Sequence, residues 1–157
     1  QISDVLEEAR VAMDGKIAVF PREAMEFGYR TSVIKNRPFT VLEAVLVLKN
    51  GEKACILQKM DELSRQRREK QPLEFPSAGS TFKRPEGYFA GKLIMDAGLR
   101  GYSIGGAQVS EKHCGFVVNT GKATAADVAE VIREVQDRVK DKFGVALEPE
   151  VIFLGDF

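Results

Sequence analysis

The residues best suited to binding or catalysis lie between Gly79 and Pro85, where the chain reads Gly-Ser-Thr-Phe-Lys-Arg-Pro. Glycine lets the backbone approach a ligand closely, and Ser80 offers a hydroxyl. Lys83 and Arg84 add two cations. A small residue, a hydroxyl donor and two cations suit a phosphorylated or carboxylated ligand. The same composition is also typical of an ordinary turn, so the residues alone leave both interpretations open.

Other residues that could do chemistry have simpler interpretations. His113 is the only histidine, which excludes any scheme that needs two, and a lone histidine is more often a surface or packed residue. The run Gly-Tyr-Ser-Ile-Gly over 101–105 matches the Gly-x-Ser-x-Gly pattern of Ser-His-Asp hydrolases. A strand is predicted after it, whereas the nucleophile elbow of those enzymes leads from a strand into a helix, so no such elbow is expected. Cys114 is interpreted as a small packed residue. The cations within 65–70 form either a phosphate-binding patch or a solvated helix end. The phosphate-binding interpretation has the most support for Lys70.

The elements that must position these residues mix strands and helices without a regular βαβ repeat, which predicts an α+β fold. Asp14-Gly15 separates two apolar-rich runs and predicts a β-hairpin. Residues 40–48 are apolar and β-branched, as in a buried strand. Residues 52–70 change to helical spacing and predict an amphipathic helix with a solvated end.

The second half of the chain predicts further elements in a fixed order. They are a loop over 76–87, a helix over 89–97, strands over 107–109 and 115–119, a helix over 124–143, and a strand over 151–154. Thr124 and Asp127 form a capping-box pattern at the start of the long helix, and Gly144 ends it.

Composition limits the classes of partner and the compartment. Lys+Arg and Asp+Glu both count 23, so the net charge is zero, which argues against binding of nucleic acid or an anionic membrane. Cys55 and Cys114 form no Cys-x-x-Cys pair, so we expect neither a disulfide scaffold nor a zinc site, but a reducing cytoplasm. No run approaches the ~18 apolar residues of a membrane span.

Several long motifs give the chain a family resemblance. PSAGSTFKRPEGYFAGKLI from Pro76, AGLRGYSIGGAQVSEKHCGFVVN from Ala97, ATAADV from Ala123 and LEPEVIFLG from Leu147 occur in this order. FGYRTSVIK from Phe27 precedes them. Together they resemble, in order and spacing, the C-terminal half of the UDP-N-acetylenolpyruvoylglucosamine reductase family. The direct passage from FKRPEG to FAGKLI resembles the shorter subclass of that family.

The resemblance implies an activity in bacterial peptidoglycan precursor synthesis, in the cytoplasm. NADPH would reduce a bound FAD, which would pass hydride to the enolpyruvyl double bond of UDP-N-acetylglucosamine enolpyruvate, giving UDP-N-acetylmuramate. Hydride addition leaves negative charge next to the substrate carboxylate, which requires cations, hydrogen-bond donors and finally a proton.

The resemblance also implies roles for individual residues. Ser80 would protonate the carbon next to the carboxylate. Glu150, in LEPEV, would donate a hydrogen bond to the enolate if burial raises its pKa enough to keep it protonated. Arg30 would hold the substrate carboxylate. The residues implied to contact the UDP-sugar are Tyr29, Lys70, Arg84, Arg100 and His113.

The domain organisation follows from the same resemblance. Residues 1–50 would be the last strands of a truncated FAD-binding domain, 51–72 a connecting helix, and 73–157 the substrate-binding domain. Nothing near the start resembles the family's flavin-pyrophosphate loop, so we expect an N-terminal FAD-binding half to be missing. The chain alone should bind FAD weakly or not at all and be inactive. Two alternatives stay open: a UDP-sugar-binding module without redox chemistry and, with less support, a related FAD oxidase.

Overall fold

The chain folds into two compact units, Gln1–Ile56 and Leu57–Phe157. A computed structural model describes residues 1–155, without the side chain of Asn36. Within those residues there are three α-helices and two antiparallel sheets, which confirms the predicted α+β class.

The first unit contains a three-stranded antiparallel sheet. Its strands are β1 (Leu6–Met13), β2 (Lys16–Pro21) and β3 (Thr40–Leu46), in the order β2-β1-β3. Asp14 and Gly15 join β1 to β2 with φ angles of 48° and 71°. Two positive φ angles are typical of the tight turn that matches the twist of paired strands, so the predicted hairpin is confirmed.

The strand β3 lies in a different environment from the one its composition predicts. Residues 40–48 were expected to be buried, but every residue of β3 is exposed, so that prediction is wrong. β3 is an edge strand that pairs only with β1, and its apolar side chains Val41, Leu42 and Val45 are each more than a third exposed. The composition of these residues predicts a strand. Whether the strand is buried depends on other residues packing over it, and residues 1–155 provide no such layer.

The first helix, α1 (Lys53–Lys70), confirms the predicted helix but also leaves its apolar residues uncovered. Ile56, Met60 and Leu63 recur at helical spacing, and each is about half exposed. The basic end of α1 is solvated, as predicted.

We expect the isolated chain to self-associate through these uncovered surfaces. An edge strand presents unpaired N–H and C=O groups that can template pairing with another chain. Light scattering at increasing concentration should give masses above the 17.4 kDa of one chain, and Val45→Lys on β3 should reduce them. A monomer at high concentration would contradict this prediction.

The second unit contains a four-stranded sheet and two helices. The strands are β4 (Ser77–Ser80), β5 (Ser103–Ile104), β6 (Ala107–Val109) and β7 (Phe116–Asn119), in the order β4-β7-β6-β5. The helices are α2 (Ala90–Asp96) and α3 (Ala125–Phe143). The main core of the unit lies where α3 packs against the sheet and α2 packs against α3.

The helix α3 follows the predicted pattern closely. Val131, Ile132, Val135 and Val139 are almost fully buried, and each such side chain contributes about 1.5–3 kcal/mol. Gly144 ends the helix with a φ of 70°. Both the helix and its end are therefore confirmed.

Two predictions for the second unit are wrong. The expected loop over 76–87 contains β4, because pairing with β7 outweighs the low strand propensity of Ser-Ala-Gly-Ser. The expected strand over 151–154 is irregular, and Ile152 and Leu154 are 75% and 82% exposed. Pairing in this region occurs earlier, at a bridge between Phe82 and Pro149.

We expect stability to fall at acidic pH because of the cap of α3. The Thr124 amide donates to Asp127 Oδ2 at 2.8 Å, and the Asp127 amide donates to Thr124 Oγ1 at 3.1 Å. The bond from the Thr124 amide, with a smaller contribution from the Gly106 amide, lowers the pKa of Asp127. A carboxylate whose pKa is lower in the folded than in the unfolded state stabilises the fold at any pH above its unfolded-state pKa. This contribution is lost as pH falls below about 4.

Thermal unfolding of the wild type and Asp127→Asn at pH 7 and pH 3 checks this prediction. The variant should be less stable at pH 7 and should lose less stability on acidification. Glu130→Gln, on the next turn of the same helix, is the matched control. An equal pH dependence in Asp127→Asn and the wild type would rule out the cap as a source of it.

Candidate substrate site

The segment that carries Ser80 lies between two other segments of the second unit. On one side, the Thr81 amide donates to the Gly115 carbonyl at 2.8 Å. On the other side, the Glu150 amide donates to the Thr81 carbonyl at 2.8 Å. The fold therefore brings the backbone segments of Ser80 and Glu150, two predicted catalytic residues, next to each other.

Ser80 is the last residue of β4, and its side chain is exposed. Its hydroxyl donates to the Phe82 carbonyl at 3.5 Å, the long end of the hydrogen-bond range. Gly79, with a φ of 87°, takes a backbone conformation that L side chains rarely adopt. Ser80 can thus exchange a weak internal contact for one with a ligand.

Glu150 is half-buried. It directly follows a short pairing of residues 82–83 with residues 148–149. The Lys83 amide donates to the Glu148 carbonyl at 2.9 Å, and the Lys83 ammonium also contacts the Glu148 carboxylate. Of the two cations in the loop, Lys83 therefore already has an acidic partner. Such an exposed pair adds little stability by itself.

Arg84 is held by an aromatic neighbour. Its guanidinium carbon lies 3.9 Å from the centre of the Phe89 ring, and Nε donates to the Tyr88 carbonyl at 3.2 Å. The terminal nitrogens have no hydrogen bond to any residue that the structure describes. A stacked arginine with its outer donors available suits a phosphate or carboxylate.

His113 is exposed and packs against two glycines. Added Cβ atoms at Gly91 and Gly115 would lie 3.2 and 2.9 Å from its Cε1, so both positions leave room for the ring. The Gly115 amide donates to His113 Nδ1 at 3.1 Å. Nδ1 is therefore the unprotonated nitrogen, and Nε2–H is available as a donor.

Lys70 and Arg100 are both exposed. Arg100 donates to the Met95 sulfur at 3.2 Å. Lys70 ends α1 near the loop that holds His113, because the Lys112 ammonium donates to the Arg68 carbonyl at 2.7 Å. Lys112 was not among the predicted site residues. The sequence shows only that it is a cation next to His113.

Tyr29 and Arg30 lie in the first unit. With Lys35, Ser32 and other polar residues, they line a cavity of about 650 Å³. Arg30 has a φ of 56°, which is uncommon outside glycine. Two cations and several hydroxyls around one cavity can bind an anionic group.

The first unit offers anion-binding groups, and the second unit offers anion-binding and proton-donating groups. Within residues 1–155, no three His, Cys, Asp or Glu side chains cluster as metal ligands would. None of the helices in that range is long and apolar enough to cross a membrane.

Comparison with known proteins decides the family. The model of the UDP-N-acetylenolpyruvoylglucosamine reductase C-terminal domain matches residues 71–154. The chain belongs to this reductase family. The family resemblance expected from the motifs is thereby confirmed.

The relatives of this chain are longer proteins. The UDP-N-acetylenolpyruvoylglucosamine reductases of Lachnoclostridium phytofermentans and Agathobacter rectalis are each 57% identical to it, over 99% and 100% of this chain. The chain covers 51% and 50% of their lengths, so it spans about half of the curated relatives it matches.

A solved structure gives the same result. The crystal structure of the reductase from Thermus caldophilus superimposes with a TM-score of 0.80 and 38% identity, over 94% of this chain and 52% of that one. The α+β fold is therefore that of the reductase family.

Proposed function

We propose that this chain is the substrate-binding half of an enzyme that reduces UDP-N-acetylglucosamine enolpyruvate to UDP-N-acetylmuramate with NADPH. The observation that carries the proposal is the pairing of the Ser80 and Glu150 segments through Thr81, within a domain of the reductase family. Exposed donors at Arg84 and His113 in the same unit add support.

The chemistry requires a hydride donor and a proton donor. The hydride chemistry would come from FAD and NADPH, with the FAD held by a part of the protein outside this chain. Ser80 gives the proton to the carbon next to the carboxylate. A hydroxyl is a weak acid, but transfer to a carbanion-like centre is downhill and depends mainly on geometry.

The negative charge that develops on the substrate carboxylate needs stabilisation before the proton arrives. Arg30 is a fixed planar cation suited to a carboxylate, and its cavity also contains Lys35. In the second unit, Glu150, when protonated, can donate a hydrogen bond to the enolate. Donors that are already in place act on charge in the transition state without reorganisation.

The rest of the substrate carries two phosphates and a sugar. Arg84 offers its outer nitrogens to a phosphate, and His113 offers Nε2–H. Lys70, Arg100 and Tyr29 are exposed and complete the proposed set of substrate contacts.

The chain would function only when joined to the rest of a protein as long as its relatives. The uncovered apolar residues of β3 and α1 support this, because such surfaces are normally buried by another part of the molecule. That other part would hold the FAD. We expect the 157-residue chain alone to bind FAD weakly or not at all.

The test uses the protein expressed from its natural start codon. Its visible spectrum should show bound flavin, and NADPH oxidation should depend on UDP-N-acetylglucosamine enolpyruvate. A colourless protein that binds the nucleotide sugar without consuming NADPH would contradict the proposal and indicate a binding module. The separate 157-residue chain should be colourless.

A further inference from the structure

The residue beside Ser80, Thr81, is one of two polar residues that are buried among those the structure describes. Thr81 is 2% exposed, and its main chain joins both neighbouring segments, through the Gly115 carbonyl and the Glu150 amide. Its hydroxyl makes a third connection, by accepting a hydrogen bond from the Val117 amide at 3.0 Å.

The hydroxyl of Thr81 replaces a strand carbonyl at an irregularity of the sheet. Ser77 pairs with Val118 and Ser80 with Phe116, so the register between β4 and β7 shifts between these pairs. The Val117 amide faces this shift, where a regular ladder would offer it a carbonyl oxygen. A buried amide without an acceptor is costly, so the threonine hydroxyl stabilises the shifted register.

We propose that Thr81 is the positioning residue that fixes Ser80 relative to Glu150 for proton transfer. This inference rests on the proposed function. The register shift determines where β4 ends and thus where the Ser80 hydroxyl stands. The Thr81 carbonyl at the same time holds the Glu150 backbone. Thr81 is buried and acts through its neighbours, without contacting the substrate.

Two substitutions distinguish the effect of the Thr81 hydroxyl from the effect of the side chain's shape. Thr81→Val keeps the volume and removes the acceptor, whereas Thr81→Ser keeps the acceptor. In the full-length protein, Thr81→Val should lower kcat by about 10- to 100-fold, because proton transfer depends steeply on geometry. KM should change by less than about threefold, since the substrate contacts remain. Thr81→Ser should recover kcat to within about threefold of the wild type.

A second measurement tests the hydrogen bond independently of activity. Hydrogen exchange at the Val117 amide should become faster in Thr81→Val and stay slow in Thr81→Ser. Thr124→Ala, which removes the helix cap in the same unit, is the control for general destabilisation. It should leave kcat unchanged.

Three outcomes would overturn the inference. They are full activity in Thr81→Val, unchanged exchange at the Val117 amide in that variant, or an equal loss of kcat in Thr124→Ala. If the wild type reduces the substrate and Ser80→Ala does not, any of these leaves the proposed function standing. A wild-type protein that does not reduce the substrate would overturn both.

Discussion

Ser80→Ala should lower kcat for reduction of UDP-N-acetylglucosamine enolpyruvate by about 10²- to 10⁴-fold, the usual contribution of a positioned proton donor. The substitution removes one exposed hydroxyl whose only internal hydrogen bond, among the described residues, is the long contact with the Phe82 carbonyl. We therefore expect stability and substrate affinity to change little. Steady-state kinetics and substrate titration of the full-length protein measure the two effects separately.

Ser77→Ala is the matched control for this experiment. Ser77 begins the same strand and is also exposed, and its hydroxyl accepts a hydrogen bond from the Gly79 amide at 3.3 Å. Its loss should leave kcat nearly unchanged. Reduction of the flavin by NADPH should be equal in all three proteins. An active Ser80→Ala enzyme would exclude Ser80 as the proton donor.

Gly106→Ala should destabilise the second unit by about 3 kcal/mol, at the upper end of the usual cost of overpacking. An added Cβ would lie 2.3 Å from the Gly121 carbonyl oxygen and 2.5 Å from the Ala123 amide nitrogen. Both neighbours are backbone atoms and cannot rotate away. The Gly106 carbonyl also accepts bonds from the Thr120 amide and hydroxyl, at 2.9 and 3.0 Å, so the glycine itself is held in place.

Gly51→Ala is the corresponding control. Its added Cβ would lie 3.3 Å from Ile56 Cδ1, the end of a flexible side chain, and the free energy of unfolding should change by less than about 0.5 kcal/mol. Denaturant unfolding of both variants and the wild type measures the difference. Equal stability of Gly106→Ala and the wild type would show that the loop at 121–123 can move.

Local signals predicted the elements that local physics determines. The Asp14-Gly15 turn favours a hairpin whatever surrounds it. The helix α3 has a cap, an apolar stripe and a terminal glycine that all indicate the same boundaries. These predictions required no knowledge of distant contacts.

The predictions that failed depend on distant contacts. The exposure of β3 depends on which residues lie over it, and its composition carries no information about that. The strand β4 exists because β7 pairs with it, although Ser-Ala-Gly-Ser is typical of a turn. The apolar run at 151–154 has strand composition but no pairing partner in the described chain.

The candidate site was predicted mainly from long motifs. Ser80 and Glu150 are far apart in the sequence, and only the fold shows that Thr81 connects their segments. Thr81 has no sequence signal of its own, because a threonine after a serine is common in loops. The roles of Ser80, Glu150 and Arg30, and of the five substrate-binding residues, remain predictions that the experiments above test.

The most direct test is to run the reaction in D₂O with the full-length protein, NADPH and UDP-N-acetylglucosamine enolpyruvate, and to analyse the product by mass spectrometry and NMR. We predict UDP-N-acetylmuramate with one solvent deuterium on the carbon next to the carboxylate, and almost none of this product from Ser80→Ala. Recovery of unchanged substrate from the wild-type protein, or equal product from the variant, would contradict the proposed role of this site.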